Sequence, residues 1–282
     1  LRTAGTKERK AADYLQKEIE RSGLEDQVDQ ILVPVKKEIV TKNGKTTVTV
    51  GKYGTFSTAS HGLSIDTEVT GAEIAYAPTS EWTVKATAAH IPDPGWDMFG
   101  KINANDNHFG RYGAIEVDYN NGKFDAGVGY HHYAGVKLAT EGYNDKKSLG
   151  VTDLGVGYKF DKNVYATADY AFAPSYDNGT VAADRGTSHN AYSVQVQYKG
   201  ADAAVPHSWG AYIGYRQLAP YAAGFTTYDN SDGKALMKTL KGWEIEANYT
   251  FAKNIVGEVK YFWGKDTFAP AGADDKARGI WT

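Results

Sequence analysis

The chain has 282 residues, a formal net charge of −3, no cysteine, and an aromatic content of 20 Tyr, 10 Phe and 6 Trp beside 31 Gly. Near-balanced charge gives no basic surface for nucleic acid, and without thiols there is neither a disulfide framework nor a thiolate metal centre. No run of about 18 apolar residues occurs, which excludes a spanning helix but not a spanning strand: a barrel strand needs only about 10 residues with every second one apolar.

In chain order, 6–22 reads as a helix, because Ala12, Leu15 and Ile19 recur at helical spacing, Thr6 can cap the start and Ser22-Gly23 can end it. Residues 4–28 are therefore expected to form a helical insertion in an external loop, and 29–282 the strands and loops of one barrel domain. From about Ile31 the period changes to two. Segments 30–40 and 45–53 flank Lys42-Asn43-Gly44, a tight-hairpin signal because Asn-Gly tolerates positive φ. After a loop, strands are predicted at 68–76, 81–90, 111–119, 124–133, 151–159, 163–172, 190–198, 208–217, 241–250 and 254–263, with a last one beginning near Arg278. Short turns, such as Asn120-Asn121-Gly122 and Asp161-Lys162-Asn163, alternate with long loops such as 92–110 and 174–189. That alternation belongs to transmembrane barrels, with tight turns on one side of the membrane and long loops on the other. Leu1-Arg2-Thr3 shows no signal peptide and the end breaks off within a strand, so the sequence is expected to be a piece of a barrel of about 16 strands, about 13 of them present.

Splitting the strands by parity gives two chemically distinct faces. One carries Trp82-Val84-Ala86-Ala88, Ile115-Val117-Tyr119, Leu154-Val156-Tyr158 and Trp243-Ile245-Ala247-Tyr249: small aliphatics mid-strand, aromatics at both ends. The other carries Thr83-Lys85-Thr87, Glu116-Asp118, Ser193-Gln195-Gln197 and Glu244-Glu246-Asn248. Aromatic rings favour the headgroup level, so two aromatic bands one strand length apart mark two membrane interfaces. A soluble sandwich core would place bulky aliphatics mid-strand and would not sort aromatics to both rims. A closed barrel of about a dozen strands is too wide to be filled by Ala and Val, so the apolar face is expected to meet lipid and the charged face a wet lumen. The fold class expected is an all-β transmembrane antiparallel barrel in a bacterial outer membrane, surrounded by lipid and lipopolysaccharide.

The stretch Thr47-Val48-Thr49-Val50-Gly51-Lys52-Tyr53-Gly54, followed by a loop and then Val69-Thr70-Gly71-Ala72-Glu73-Ile74-Ala75-Tyr76, resembles the general porins. There the third external loop folds inward and narrows the lumen, so the resemblance makes 54–66 the constriction loop, with Ser57, Ser60, His61 and Asp66 as its polar groups. The hairpin Ala114-Ile115-Glu116-Val117-Asp118-Tyr119 to Gly122-Lys123-Phe124-Asp125-Ala126-Gly127-Val128-Gly129-Tyr130 resembles porins linked to an S-layer-homology domain, the OmpM type. That resemblance implies a homotrimer, and a tether to peptidoglycan or another wall polymer through an N-terminal domain outside this sequence.

The acidic residues expected to line the pore are Glu73, Glu116, Asp118, Asp125, Asp153, Asp169, Glu244, Glu246 and Glu258. The basic ones are Lys85, Lys159, Arg216 and Lys260. Carboxylates in excess favour cations, so a weakly cation-preferring diffusion channel is expected, although cross-strand pairing would keep many of these charges structural. His131 and His132 are adjacent on a strand and point to opposite faces, so they cannot chelate one metal ion; His131 is placed at the lumen mouth and His132 at the interface. Asp93, Asp97, Asn103, Asn105 and Asp106 fall in one loop, where oxygen ligands for Ca²⁺ compete with ordinary loop acidity. Ser193 and Ser208 have no patterned His and Asp, and Gly155-Val156-Gly157 lies mid-strand, not before a helix; neither an enzyme nor a cofactor is expected. Two other functions compete with free diffusion. One is a mainly structural outer-membrane anchor; the other is a barrel enzyme or a substrate-specific channel. A specific sugar channel would show an aromatic track on the lumen face, for which only the scattered Tyr133, Tyr165 and Tyr212 have the right parity.

Overall fold

The computed structural model describes residues 17–18, 21–22, 35–41, 44–91, 110–134, 148–173, 189–219, 222–228, 240–266 and 276–281. Thirteen strands form one sheet in which each pairs, antiparallel, with the next in sequence. They are β1 (Val35–Thr41), β2 (Gly44–Phe56), β3 (Asp66–Ala77), β4 (Trp82–His90), β5 (Arg111–Asn120), β6 (Phe124–Ala134) and β7 (Ser148–Lys159). The second half comprises β8 (Val164–Phe172), β9 (Asn190–Lys199), β10 (Trp209–Leu218), β11 (Leu240–Ala252), β12 (Ile255–Asp266) and β13 (Lys276–Trp281). Among the described residues β1 and β13 are the two open edges.

The predicted strands are all present, and several run further toward the long-loop end. Strand β2 continues to Phe56, which pairs with Asp66, so the loop between β2 and β3 is 57–65 and not 54–66. Of the predicted helix, Lys17, Glu18, Arg21 and Ser22 are helical, and the rest of it lies outside the described residues. The loop acids from Asp93 to Asp106 and the Lys42-Asn43 turn also lie outside them. Register Thr41↔Gly44 nevertheless leaves two residues for that turn.

Local chemistry explains the tight turns. Gly122 sits at φ 87, in the left-handed region that a side chain disfavours. Its N–H donates to Asn120 Oδ1 at 2.7 Å, and Phe124 N–H donates to Asn121 Oδ1 at 2.8 Å. In the next turn, Asn163 and Val164 N–H donate to Asp161 Oδ1 at 2.6 and 2.9 Å, and these donors hold the Asp161 carboxyl below the usual carboxylate range.

The two faces invert the arrangement of a soluble protein. Mid-strand Ile115, Val128 and Val194 are 53%, 50% and 52% exposed, whereas Glu116, Asp153 and Arg216 are at most 1% exposed. An apolar face of this extent on a sheet's outside requires an apolar surrounding. Aromatic pairs stand at the short-turn end, with centroids 5.0 Å apart for Trp82–Tyr119, 5.1 Å for Tyr198–Trp209 and 5.0 Å for Tyr249–Phe251. Others stand at the long-loop end, Tyr215–Trp243 at 5.0 Å and Tyr261–Trp263 at 5.6 Å. Lysines cap both bands: Lys123 lies 5.2 Å over Tyr158, Lys199 5.2 Å over Tyr198 and Lys241 5.9 Å over Tyr192. Such stems reach toward headgroups while the rings stay at the apolar boundary.

A small core occupies the inner face at the long-loop end, where Leu63, Ile65, Tyr133, Val151 and Leu218 are buried together. Two segments cover it, 57–65 and 222–228. They join through a parallel bridge Ile65↔Phe225, and Thr227 N–H donates to Gly62 O at 2.9 Å.

Candidate functional site

The site is the segment 57–65 pressed against the charged inner wall. It lies flat there because two glycines leave the wall bare. Gly127 and Gly155 face each other in register across β6 and β7. A Cβ on Gly127 would stand 2.6 Å from Ala59 Cα, and one on Gly155 2.6 Å from the Ala59 carbonyl oxygen. Only a glycine pair admits the loop backbone so close.

Carboxylates then hold the loop at three points. At its start, Glu116 Oε2 accepts from Thr58 N–H at 3.0 Å while Oε1 pairs with Lys85 Nζ at 2.9 Å. Lys85 also donates to Phe56 O at 2.7 Å, which closes the clamp. In the middle, Asp153 Oδ2 accepts from Ser57 Oγ and Ser60 Oγ, each at 2.6 Å, and from Ser64 Oγ. His131 Nε2 lies 3.2 Å from the same oxygen, and Tyr112 OH 2.8 Å from His131 Nδ1. A neutral imidazole that donates from Nε2 and accepts at Nδ1 satisfies both contacts.

The third point is the loop tip. His61 Nδ1 lies 2.6 Å from Asp169 Oδ1, and Nε2 lies 2.7 Å from Asp125 Oδ1. A neutral imidazole has one N–H and cannot donate to two carboxylates, so this geometry calls for the imidazolium. Burial pulls the His61 pKa down, but hydrogen bonds and charge from Asp169 and Asp125 outweigh it, and the net shift is upward. The tip backbone is held at φ 49, which few residues other than glycine, asparagine, aspartate and histidine adopt.

The residues expected in the lumen separate into two groups. Glu116, Asp118, Asp153, Asp169, Lys85, Arg216 and Glu244 are on the inner face but buried, covered by the loop or by neighbouring side chains. Asp125 joins them as a partner of His61. Glu73, Lys159, Glu246, Glu258 and Lys260 remain partly or fully open, with Lys260 Nζ 3.3 Å from Glu246 and 3.5 Å from Glu258. Among the loop residues, Ser57, Ser60 and His61 converge on the wall. Asp66 does not: it starts β3 opposite Phe56 and is exposed, because the pairing of β2 with β3 extends past it. Likewise His131 is fully buried under the loop, not at an open lumen mouth, since Ser64 and Tyr112 enclose it.

Sequence reasoning missed Ser64, Tyr112 and the whole segment 222–228. Their roles depend on contacts with no local pattern. The glycine pair was the available signal, visible as Gly-x-Gly on both β6 and β7. Of the aromatic track, Tyr133 is buried in the core and Tyr212 donates to Glu244, which leaves Tyr165 facing open space beside His61.

Arg216 meets the second covering segment, 222–228. Its guanidinium stacks 3.9 Å from the Tyr228 ring centre, pairs with Glu244 at 3.2 Å and donates to Gln195 Oε1 at 3.2 Å. Arg216→Met is expected to leave Glu244 buried without its charge partner and to destabilise the barrel by about 3–5 kcal/mol. Urea unfolding in detergent checks this; an unchanged midpoint would contradict it.

No family model matches the chain and no curated protein matches it in sequence. Solved structures do match. The crystal structure of Pseudomonas aeruginosa OccK8 (OprE) aligns with a TM-score of 0.51 at 10% identity, over 88% of this chain and 69% of that one. Pseudomonas aeruginosa OpdQ aligns with a TM-score of 0.49 at 11% identity, over 86% and 67%. The Pseudomonas aeruginosa outer membrane protein OprD aligns with a TM-score of 0.39 at 12% identity, over 89% and 76%. The likeness to OccK8, together with the antiparallel meander and its inverted faces, gives the conclusion: this chain has the fold of the bacterial outer-membrane β-barrel porins.

Proposed function

We propose that the chain forms most of the wall of a water-filled channel in the bacterial outer membrane, passing small hydrophilic solutes and ions with a weak cation preference. The observation that carries this reading is the loop 57–65 bound by buried carboxylates to the charged inner face of a sheet whose outer face is apolar. A mooring alone has no need of a loop fastened inside its lumen. The preference is weak because most of these carboxylates are held in pairs against the wall, Glu116 with Lys85, Glu244 with Arg216, and Asp125 and Asp169 with His61, and are withdrawn from the open lumen. The remaining surplus of carboxylates on the wall leans toward cations. Assembly as a trimer and a tether to wall polymer rest on the hairpin resemblance alone.

The test is single-channel recording in planar bilayers under a salt gradient. Ohmic steps with a reversal potential shifted modestly toward that of the cation are the expected result, grouped in threes for a trimer. A folded, heat-modifiable barrel that never conducts would overturn the reading.

A further inference from the structure

Between the loop tip and strands β8 and β9 lies a cleft of about 220 Å³. Its aromatic lining comes from Phe56, Tyr165 and Tyr228, and its polar lining from Thr167, Gln195 and Gln197, beside His61 and Thr227. Thr167 and Gln195 are register partners, as are Tyr165 and Gln197, so the polar groups stand on two adjacent strands of rigid wall. We infer that this cleft is a binding subsite for a neutral polyhydroxylated ring, a monosaccharide, on the path through the channel. The inference rests on the channel reading above and adds a substrate class to it.

Three observations select that chemistry. First, the charges that line or back the cleft are committed elsewhere, His61 to Asp125 and Asp169 and Arg216 to Glu244 under the Tyr228 ring. Lys159, 6.0 Å over the Tyr165 ring, belongs to the neighbouring recess and does not line the cleft. What faces the opening is amide, hydroxyl and ring, which suits hydroxyl groups and C–H faces better than an ion. Second, the wall groups are oriented in advance. Gln197 Nε2 donates to Lys199 O at 2.9 Å, and Tyr165 OH donates to Asp125 Oδ2 at 2.9 Å. Groups positioned in this way lose little freedom when a solute binds. Third, the volume is below the roughly 300–1,000 Å³ of sites that hold drug-sized ligands, so the occupant is a single ring and not a chain.

The cleft also lies on a route. Tyr165 and Gln197 line it and also a wider recess of about 620 Å³ at the short-turn end, bounded by Lys159, Asp161 and Lys162. A ring that moves from the cleft to that recess would pass these two shared residues.

The experiment is saturation-transfer NMR with D-glucose on protein folded in detergent micelles, paired with bilayer recording of the same preparation. Succinate and L-lysine serve as charged competitors. Transfer to glucose is expected in wild type. It should be about threefold to tenfold weaker in affinity in Gln197→Ala and in Thr167→Ala, as the loss of one neutral hydrogen bond requires. Lys253→Gln, in an exposed turn, should match wild type. No transfer to glucose, transfer indifferent to both variants, or displacement of glucose by either charged competitor would each overturn the inference. Binding in micelles does not need conduction. A conducting protein that ignores glucose defeats this inference alone, and a binding protein that never conducts defeats the diffusion reading alone.

Discussion

Gly155→Val is expected to lift the loop 57–65 off the wall and enlarge the channel. Valine suits a strand backbone, so the effect comes from space alone. The new Cβ would stand 2.6 Å from the Ala59 carbonyl and 3.2 Å from His61 Nδ1, and would meet the Asp169 carboxylate more closely still. Neither the strand nor a loop fastened by Asp153 can yield by a rotamer change. Overpacking of this kind costs about 1–3 kcal/mol, which shifts the balance of docked and lifted loop by about fivefold to 150-fold. Single-channel conductance should rise, with added flicker while the loop exchanges between positions. The control is Gly113→Ala, whose Cβ would meet only Thr87 O at 3.7 Å, and which should conduct as wild type does. Unchanged or reduced conductance in Gly155→Val would show that the loop does not set the lumen's width.

The second large effect concerns His61. Its imidazolium fastens the loop tip to β6 through Asp125 and to β8 through Asp169. Because its pKa is raised in the folded state, the fastening is fully present below the ordinary value of 6.5 and is lost as pH rises through the raised value. Conductance of wild type should therefore increase on going alkaline of about 6.5, the side on which histidine loses its charge. His61→Leu removes the cation at every pH and leaves two carboxylates facing one another, a loss of about 1.5–3 kcal/mol for each charged hydrogen bond. It should conduct more than wild type near neutrality and lose the pH step. A pH step that persists in His61→Leu would assign the titration to another group.

Both expectations follow from one arrangement. The carboxylates that a parity reading places along the lumen are mostly not selectivity charges. Glu116 and Asp153 are acceptors for loop N–H and hydroxyl donors. A carboxylate buried without such partners would be costly, and the loop without the carboxylates would have unpaired backbone donors in the lumen. Each satisfies the other, so loop and wall form one unit and substitutions on either side are expected to act non-additively.

The strand positions, the two faces and the membrane setting were determined by the sequence itself. Each rests on period-two alternation, on turn residues such as Asn120-Asn121-Gly122 and on aromatics at the strand ends, all of which are local. The identity of the inner face was legible for the same reason, since a strand's parity assigns every side chain at once. Tertiary structure alone decided which inner-face charges stay open, as Glu246 and Lys260 do, and which are consumed, as Asp153 and Asp169 are. It also decided that Asp66 belongs to β3, and that 222–228 descends to meet Gly62. Those outcomes depend on pairs separated by tens to hundreds of residues, Ser57 with Asp153 or Gly62 with Thr227, and no periodicity encodes such a contact. The physical reason is that alternation specifies a direction for each side chain, whereas burial depends on what the loop covers once the sheet has formed.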